Sequence, residues 1–177
     1  MINRLRELHK MKKILLINTG GTFNKVYDPL SGKLPIDLTS SALKEIAEKW
    51  LCTFKIINII GKDSLDMNDE DRAKLTQTIL LSTYDYTIVI HGTDTMHITA
   101  KYLSDKKLKK HIVLTGAMVP YAIDPVEATA NLASAFGYLQ TLTNEGVIIA
   151  MNGVFGSYDK VQKDREIGRF TYHCDIN

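Results

Sequence analysis

The chain has 177 residues, which suits one globular domain, because single cores commonly take about 100–200 residues. Hydrophobic residues make up 45% of the chain and charged residues 24%, so a buried core is available. The formal net charge of +2 is too small to favour a nucleic acid or a membrane surface as a partner.

Cysteine usage and the length of the apolar runs predict a cytoplasmic protein. The two cysteines, Cys52 and Cys174, form no C-x-x-C pair, so neither a disulfide framework nor a metal site is predicted. Cys52 opens an apolar run and is predicted to be a buried free thiol. This pattern favours a reducing compartment. No apolar run approaches the roughly 20 residues that a membrane-spanning helix needs.

The amino-terminal residues are interpreted as a short extension rather than a signal peptide. Ile14–Ile17 follows a lysine-containing segment, but this apolar run is shorter than the roughly 7–15 residues of a secretory core region. Met11 is a candidate alternative start, which makes residues 1–11 a short charged extension. Residues 12–177 are then predicted to form a single domain.

The first predicted elements are a strand and a loop. Ile14–Asn18 is a continuous apolar run that leads into Gly20 and Gly21, which predicts a strand entering a tight turn. Residues 23–38 contain prolines and a glycine without any hydrophobic period, and they are predicted to form a mobile loop.

Two helices flank the second predicted strand. Thr39–Ser41 supplies candidate N-caps for a helix, and the apolar face of that helix consists of Leu43, Ile46, Ala47 and Trp50. Residues 54–60 are predicted to form the second strand. Asn68 is predicted to cap the next helix, whose first turn carries three acidic residues, the charge favoured at the positive end of a helix dipole.

The second half of the chain continues the alternation. Residues 87–91, 112–115 and 147–151 are predicted strands, and the two segments between them have helical periodicity. The residues after 151 are predicted to be irregular and polar. Strands with little internal alternation, separated by amphipathic helices, predict a three-layer, doubly wound α/β fold. In this fold a mostly parallel sheet has helices on both faces.

The first predicted strand leads into Thr19-Gly20-Gly21-Thr22, a segment that suits ligand binding. In sheets of this kind, ligands bind where the carboxyl ends of strands open into loops. The two glycines let the backbone approach a ligand closely, and Thr22 offers a hydroxyl. A plain turn is the alternative, because glycine-rich strand ends are common.

A second polar segment, His91-Gly92-Thr93-Asp94-Thr95, follows the third predicted strand. A hydroxyl, a carboxylate and the N–H groups of a helix start can converge there on one polar ligand. The alternative is an N-cap, in which Asp94 or Thr95 caps the following helix and His91 fills the end of the strand. The residues of this segment favour neither interpretation over the other.

A third polar segment lies between the second strand and the second helix. Ser64 and Asp66 can hold a substrate amine or carboxylate, whereas Asn68 suits helix capping. His97 and His111 lack the paired spacing with carboxylates that a metal site shows, so no metal is predicted.

Together these segments resemble the L-asparaginase/glutaminase family. The matching motifs are Thr-Gly-Gly-Thr after the first strand, Ser-Leu-Asp-Met-Asn-Asp before the second helix and His-Gly-Thr-Asp-Thr-Met after the third strand. Residues 115–120, Thr-Gly-Ala-Met-Val-Pro, match the family's fourth-strand turn. The resemblance covers residues 12–163, the family's amino-terminal domain, and implies the fold of that domain.

The resemblance implies hydrolysis of a side-chain amide by a threonine. Thr22 corresponds to the family's nucleophile, which attacks the amide carbon. Thr93, Asp94 and Lys163 correspond to a second catalytic cluster. Tyr27 corresponds to the loop tyrosine that activates the nucleophile. The implied substrate is asparagine or a related small amide, which would yield aspartate and ammonia.

The resemblance also implies a set of substrate contacts. The implied substrate-binding residues are Gly21, Ser64, Asp66, Gly92, Thr93 and Asp94. Ser64 and Asp94 would hold the α-carboxylate and the α-amine of the substrate. The oxyanion formed from the amide oxygen would lie near the N–H groups of Gly21, Gly92 and Thr93.

The implied chemistry needs a base but no cofactor. A threonine hydroxyl is a poor nucleophile unless a base takes its proton, and a lysine can do so only in its neutral form. Asp94 would orient this cluster, as the third member of a Ser–His–Asp triad does. No metal ion or organic cofactor is required.

Two departures from the family pattern leave two functions open. Leu65 stands where many relatives have a polar residue beside the substrate amine, and it can neither donate nor accept a hydrogen bond. The chain also ends soon after Lys163, so the family's second domain is expected to be absent, and a homo-oligomer, a dimer or a tetramer, is predicted. The alternatives are an asparaginase-like amidohydrolase and a non-catalytic binding or regulatory domain. The retained threonines and Lys163 favour the enzyme.

Overall fold

A computed structural model of the protein describes residues 12–50, 52 and 54–173. The predicted extension over residues 1–11, its candidate start Met11, and Cys174 lie outside these described residues.

One sheet of six strands forms the centre of the described chain, with strand order β2-β1-β3-β4-β5-β6. These strands are β1 (Ile14–Gly20), β2 (Lys55–Lys62), β3 (Tyr86–Ile90), β4 (His111–Thr115), β5 (Gly146–Met151) and β6 (Val154–Gly156). The first five are parallel, and β6 pairs with β5 in the antiparallel direction. The predicted mostly parallel sheet is therefore confirmed.

Helices cover both faces of this sheet. They are α1 (Ser41–Lys49), α2 (Asp69–Leu81), α3 (Met96–Asp105) and α4 (Pro125–Thr141). One buried cluster joins α1 and α4 to Leu16 of β1, and a second joins α2 and α3 to its neighbours Leu15 and Ile17. Because successive side chains of a strand point to opposite faces, these clusters are the two core layers, and the predicted three-layer α/β fold is confirmed.

The prediction that the chain is irregular after the fifth parallel strand is wrong. In addition to β6, this region contains β7 (Val161–Asp164) and β8 (Arg169–Tyr172), which pair as an antiparallel hairpin. Tertiary hydrogen bonds hold the hairpin: Phe170 N–H donates to Asn152 Oδ1 at 3.0 Å, and His173 N–H donates to Lys160 O at 2.7 Å. Strands this short and polar leave little periodic signal in the sequence.

Capping of the first two helices follows the prediction only in part. Asn68 caps α2 through a reciprocal capping box with Asp71, as predicted. The predicted capping of α1 by a side chain of Thr39–Ser41 is wrong, because the N-cap residue Ser40 has a left-handed backbone (φ 57°) and no side-chain cap hydrogen bond. Asp37 replaces it and accepts a hydrogen bond from Ser41 N–H at 2.8 Å.

Two further predictions are corrected by the structure. The predicted loop over residues 23–38 is not wholly irregular, because isolated antiparallel bridges join Lys25 to Ile36 and Asp28 to Lys33. Cys52 is a free thiol, as predicted, but it is only half-buried rather than buried.

Candidate functional site

The site forms where the carboxyl ends of β1 and β3 meet, and two glycines let these ends touch. A Cβ built on Gly21 would lie 2.5 Å from the Cα of Gly92, and one on Gly92 would lie 2.6 Å from the Cβ of Ser64. Gly21 also has φ 75°, a left-handed conformation that favours glycine. The three predicted polar segments are therefore packed against one another in one place, with Thr22 and Thr93 each following one of the touching glycines.

A buried amide network supports the turn that carries Thr22. Asn18 Oδ1 accepts hydrogen bonds from Gly20 N–H at 2.9 Å and from Asn24 Nδ2 at 2.8 Å, while Asn18 Nδ2 donates to Ser40 Oγ at 2.8 Å. Thr22 itself begins a short 3₁₀ turn, Thr22–Asn24, and is half-buried. The network fixes the backbone on both sides of Thr22. The sequence analysis did not predict this network, and its one indication in the sequence is an asparagine, Asn18, in an otherwise apolar strand.

Lys163 joins the turn after β3 across a large separation in sequence. Its Nζ donates to Thr93 Oγ1 and to Asp94 Oδ1, each at 2.9 Å. The side chains of Lys163 and Asp94 are 18% and 24% exposed, and Thr93 is buried. A hydroxyl, an ammonium group and a carboxylate therefore form one contiguous, partly exposed cluster.

Arg165 adds a second cation to this cluster. Its Nη2 lies 3.0 Å from Asp94 Oδ1, the same oxygen that accepts from Lys163, and its side chain is 67% exposed. Burial lowers the pKa of the nearby His97, and the positive charge of Arg165 lowers it further. Sequence reasoning missed Arg165, because a lone arginine in a polar tail carries no motif.

The alternative that Asp94 or Thr95 caps the following helix does not hold. Thr95 occupies the N-cap position of α3, but it makes no side-chain cap hydrogen bond, and its Oγ1 donates to Ser64 O at 2.7 Å. Asp94 is paired with Lys163 and Arg165 instead. The polar groups of this segment are thus directed to the cluster and to the Ser64 turn.

The two predicted site residues of the turn after β2, Ser64 and Asp66, differ in solvent exposure. Ser64 is fully buried against Gly92, and its hydroxyl has no hydrogen-bond partner among the described residues. Asp66 is exposed, and Leu65 is 67% exposed. In this arrangement the Ser64 hydroxyl is covered, so contact with a substrate requires the turn to shift.

The remaining predicted residues, Gly21 and Tyr27, differ in how free they are to contact a substrate. Gly21 N–H donates to Lys62 O at 3.0 Å. It is therefore already hydrogen-bonded in this structure, so its service as an oxyanion donor would require that bond to break. Tyr27 is 60% exposed on the bridged loop, between Val26 and Asp28, whose N–H groups donate across that loop.

His91, two residues before Thr93, has a fully buried imidazole. Its Nδ1 is 2.7 Å from Gly92 O, which requires a proton on Nδ1, because a carbonyl can only accept. Its Nε2 has no partner among the described residues. Burial lowers the pKa of His91 to about 4, although the Gly92 contact opposes this shift. His91 is therefore neutral at physiological pH.

Glu127 and Asn131 connect the turn after β4 to the segment that precedes the hairpin. Glu127 Oε2 accepts hydrogen bonds from the N–H groups of Met118 and Val119, both at 3.0 Å. Asn131 Nδ2 donates to Gly116 O at 3.0 Å, and Asn131 Oδ1 accepts from Asn152 N–H at 2.9 Å.

These contacts continue to the strand that carries Lys163. Asn152 holds β8 through Phe170, and Phe170 pairs with Lys163 of β7. The strand that carries Lys163 is therefore held by hydrogen bonds that begin at the turn after β4.

Two general features complete the description. Within residues 12–50, 52 and 54–173, no group of three or more His, Cys, Asp or Glu side chains is placed to hold a metal ion. None of the described helices has the length and apolar character needed to cross a bilayer.

Comparisons with known proteins identify relatives of this chain. It is 33% identical to the probable periplasmic L-asparaginase of Haemophilus influenzae in an alignment of 177 positions, which covers 92% of this chain and 49% of that protein. It is 32% identical to L-asparaginase 1 of Escherichia coli strain K12, over 70% of this chain and 39% of that protein. The chain thus spans about half or less of the length of these curated relatives.

Solved structures give the same result. The probable cytoplasmic L-asparaginase from Campylobacter jejuni superposes with a TM-score of 0.73 at 28% identity, over 91% of this chain and 53% of that one. The thermostable L-asparaginase from Thermococcus kodakarensis has a TM-score of 0.75 at 23% identity, over 90% of this chain and 51% of that one, and it supports the fold alone. The family model described as "Asparaginase, N-terminal" matches residues 13–168. The match covers most of the chain, and we conclude that this protein belongs to the asparaginase family.

Proposed function

We propose that this chain is an amidohydrolase that cleaves the side-chain amide of asparagine, or of a related small amide, to aspartate and ammonia. The observation that carries the proposal is the cluster in which Lys163 Nζ contacts both Thr93 Oγ1 and Asp94 Oδ1 at 2.9 Å. This cluster follows Gly92, which touches the residue that precedes Thr22. Family membership supports amide hydrolysis at this place.

In the proposed reaction, Thr22 Oγ1 attacks the amide carbon and forms a bond to it. The oxygen of the amide becomes an oxyanion, and the N–H groups of Gly92 and Thr93 are its proposed donors. When the carbon–nitrogen bond breaks, ammonia leaves and an ester to Thr22 remains. Water then hydrolyses this ester, which releases aspartate and returns the proton to the Thr22 hydroxyl.

Two groups are proposed to handle protons in this sequence. Tyr27, on the exposed loop beyond Thr22, would relay the proton of the Thr22 hydroxyl to the departing nitrogen, so that the nitrogen leaves as ammonia. The Lys163–Thr93 pair would position the water of the second step, with Lys163 as a charged donor rather than as the neutral base. Asp94 holds the Lys163 ammonium group in place and is also the proposed contact for the substrate amine. Ser64 and Asp66 are the remaining proposed substrate contacts, and for Ser64 this requires the shift of its turn. No metal or organic cofactor enters any of these steps.

The proposal is tested by measuring ammonia release from asparagine and glutamine by the purified chain. We expect Thr22→Ala to reduce the rate at least about a thousandfold, because it removes the attacking oxygen. Thr143→Ala is the matched control. Thr143 is exposed in the connection that leads into β5, at the amino ends of the parallel strands, whereas the site lies at their carboxyl ends. Equal background release by the wild type and Thr22→Ala would instead favour a non-catalytic binding domain.

We also propose that the chain forms a homo-oligomer, a dimer or a tetramer. Large apolar side chains are exposed near the start of α4, among them Ile123 and Val126 at 59% and 72%. Contiguous exposed apolar surface commonly marks an interface, and most soluble oligomers are symmetric assemblies of one chain. Sedimentation velocity tests this, and a strictly monomeric profile at high concentration contradicts it. A cytoplasmic location stays a prediction from cysteine usage and apolar run lengths.

A further inference from the structure

We propose that Arg165 is a specificity-determining residue, which makes the site select amides that carry a carboxylate. This inference rests on the proposed function and deepens it. Arg165 lies in the turn between β7 and β8, two residues after Lys163, and its Nη2 is 3.0 Å from Asp94 Oδ1. No family motif in the sequence includes this position.

The charges around Asp94 are not balanced. Asp94 Oδ1 is the partner of two cations, Lys163 and Arg165, at 2.9 Å and 3.0 Å. The neighbouring ion pairs are different, because Lys25 with Asp63 and Lys62 with Asp71 each join one cation to one carboxylate.

Two cations on one carboxylate leave the cluster beside Thr93 with one net positive charge. A site with this charge attracts an anion, and the other carboxylate oxygen of Asp94, Oδ2, stays the proposed contact for the substrate amine. The substrate group that suits it is therefore a carboxylate.

Arg165 can leave Asp94 without exposing an unpaired charge. Its side chain is 67% exposed, and exposed ion pairs contribute little to stability. When it moves, Asp94 Oδ1 keeps Lys163 as its partner, so the catalytic cluster stays intact.

The backbone around Arg165 is held, while its side chain is mostly exposed. Asp164 Oδ1 accepts hydrogen bonds from Glu166 N–H at 2.9 Å and from Ile167 N–H at 3.3 Å, and Gly168 has φ 64°. The guanidinium group can therefore turn from Asp94 toward a substrate carboxylate while the backbone stays in place. A planar guanidinium binds a carboxylate through two parallel hydrogen bonds, which a single oxygen of Asp94 does not offer.

Kinetics with paired substrates test the proposal. Asparagine is compared with 3-aminopropanamide, which has the same amide and amine but no carboxylate. We expect Arg165→Gln to raise KM for asparagine about tenfold, with kcat within about twofold, because one charge-assisted contact is lost. The KM for 3-aminopropanamide should not change. Arg169→Gln, an exposed arginine on the same hairpin, is the matched control and should alter neither value.

A binding measurement separates the two ideas, because it does not require turnover. Calorimetry should show that Arg165→Gln weakens binding of L-aspartate about tenfold. Without ammonia release by the wild type, such weakening would overturn the proposed amidohydrolase but leave carboxylate recognition by Arg165. Unchanged KM and unchanged aspartate affinity in an active enzyme would overturn the role of Arg165. An equal fall of kcat on both amides would also overturn it, because Arg165 would then act by supporting Asp94.

Discussion

Acid should destabilise this protein through His91, whose imidazole is fully buried two residues before Thr93. In the folded protein the Nδ1 proton is held by Gly92 O, and Nε2 faces the interior without a partner among the described residues. Protonation of Nε2 would place a positive charge and an unpaired N–H in the core. Burial accordingly lowers the pKa of His91 from 6.5 to about 4.

The direction and size of the effect follow from these two pKa values. The unfolded chain binds a proton near pH 6.5 and the folded chain only near pH 4, so the stabilisation is complete above pH 6.5 and is lost as the pH falls. Each pH unit between the two values corresponds to about 1.4 kcal/mol. The loss due to His91 is therefore about 2 kcal/mol by pH 5 and about 3 kcal/mol once both states are protonated.

Urea unfolding at about pH 7 and about pH 5 measures this loss. We expect His91→Gln to be less stable than the wild type at neutral pH but to lose about 2 kcal/mol less on acidification. His97→Gln is the control, because His97 is only half-buried and should change the pH dependence less. If the wild type and His91→Gln lose equal free energy between these pH values, the buried neutral imidazole is not the cause.

Two glycine substitutions should have opposite effects on stability. Gly92→Ala places a methyl group 2.6 Å from the Cβ and 2.7 Å from the Oγ of buried Ser64. We expect it to cost about 1–3 kcal/mol of unfolding free energy and to lower ammonia release, and native stability in this variant would contradict the close packing. Gly137→Ala adds a methyl group on the exposed side of α4, where no atom lies within 4 Å. It should raise the unfolding free energy by about 0.4–1 kcal/mol, measured in the same urea titration, and a loss would show an unrecognised contact.

The central strands can be predicted from the sequence because their environment is simple. Every residue of β1 is buried, since helices cover both faces of the sheet, so an uninterrupted apolar run is a reliable signal. The capping box of α2 is equally local, because Asn68 and Asp71 lie within one turn of each other. The glycine motifs are also local, and they mark the place where the chain needs close backbone contact.

The rest of the site depends on long-range contacts, which leave no local pattern. The hairpin that carries Lys163 is held by Asn152, Phe170 and His173, and none of these side chains forms a periodic pattern. Asn18 ends the apolar run of β1, and no local pattern shows that its amide anchors the Thr22 turn. The pairing of Gly21 N–H with Lys62 O likewise depends on β2 lying beside β1. Local sequence patterns therefore do not predict these contacts.

The position of Lys163 outside the main sheet has a consequence for biosynthesis. The last strand of that sheet ends at Gly156, so a growing polypeptide contains every sheet residue before the lysine is added. The hairpin that follows that strand supplies both Lys163 and two fully buried core residues, Val161 and Phe170, so the last segment to be synthesised completes the interior and the site together.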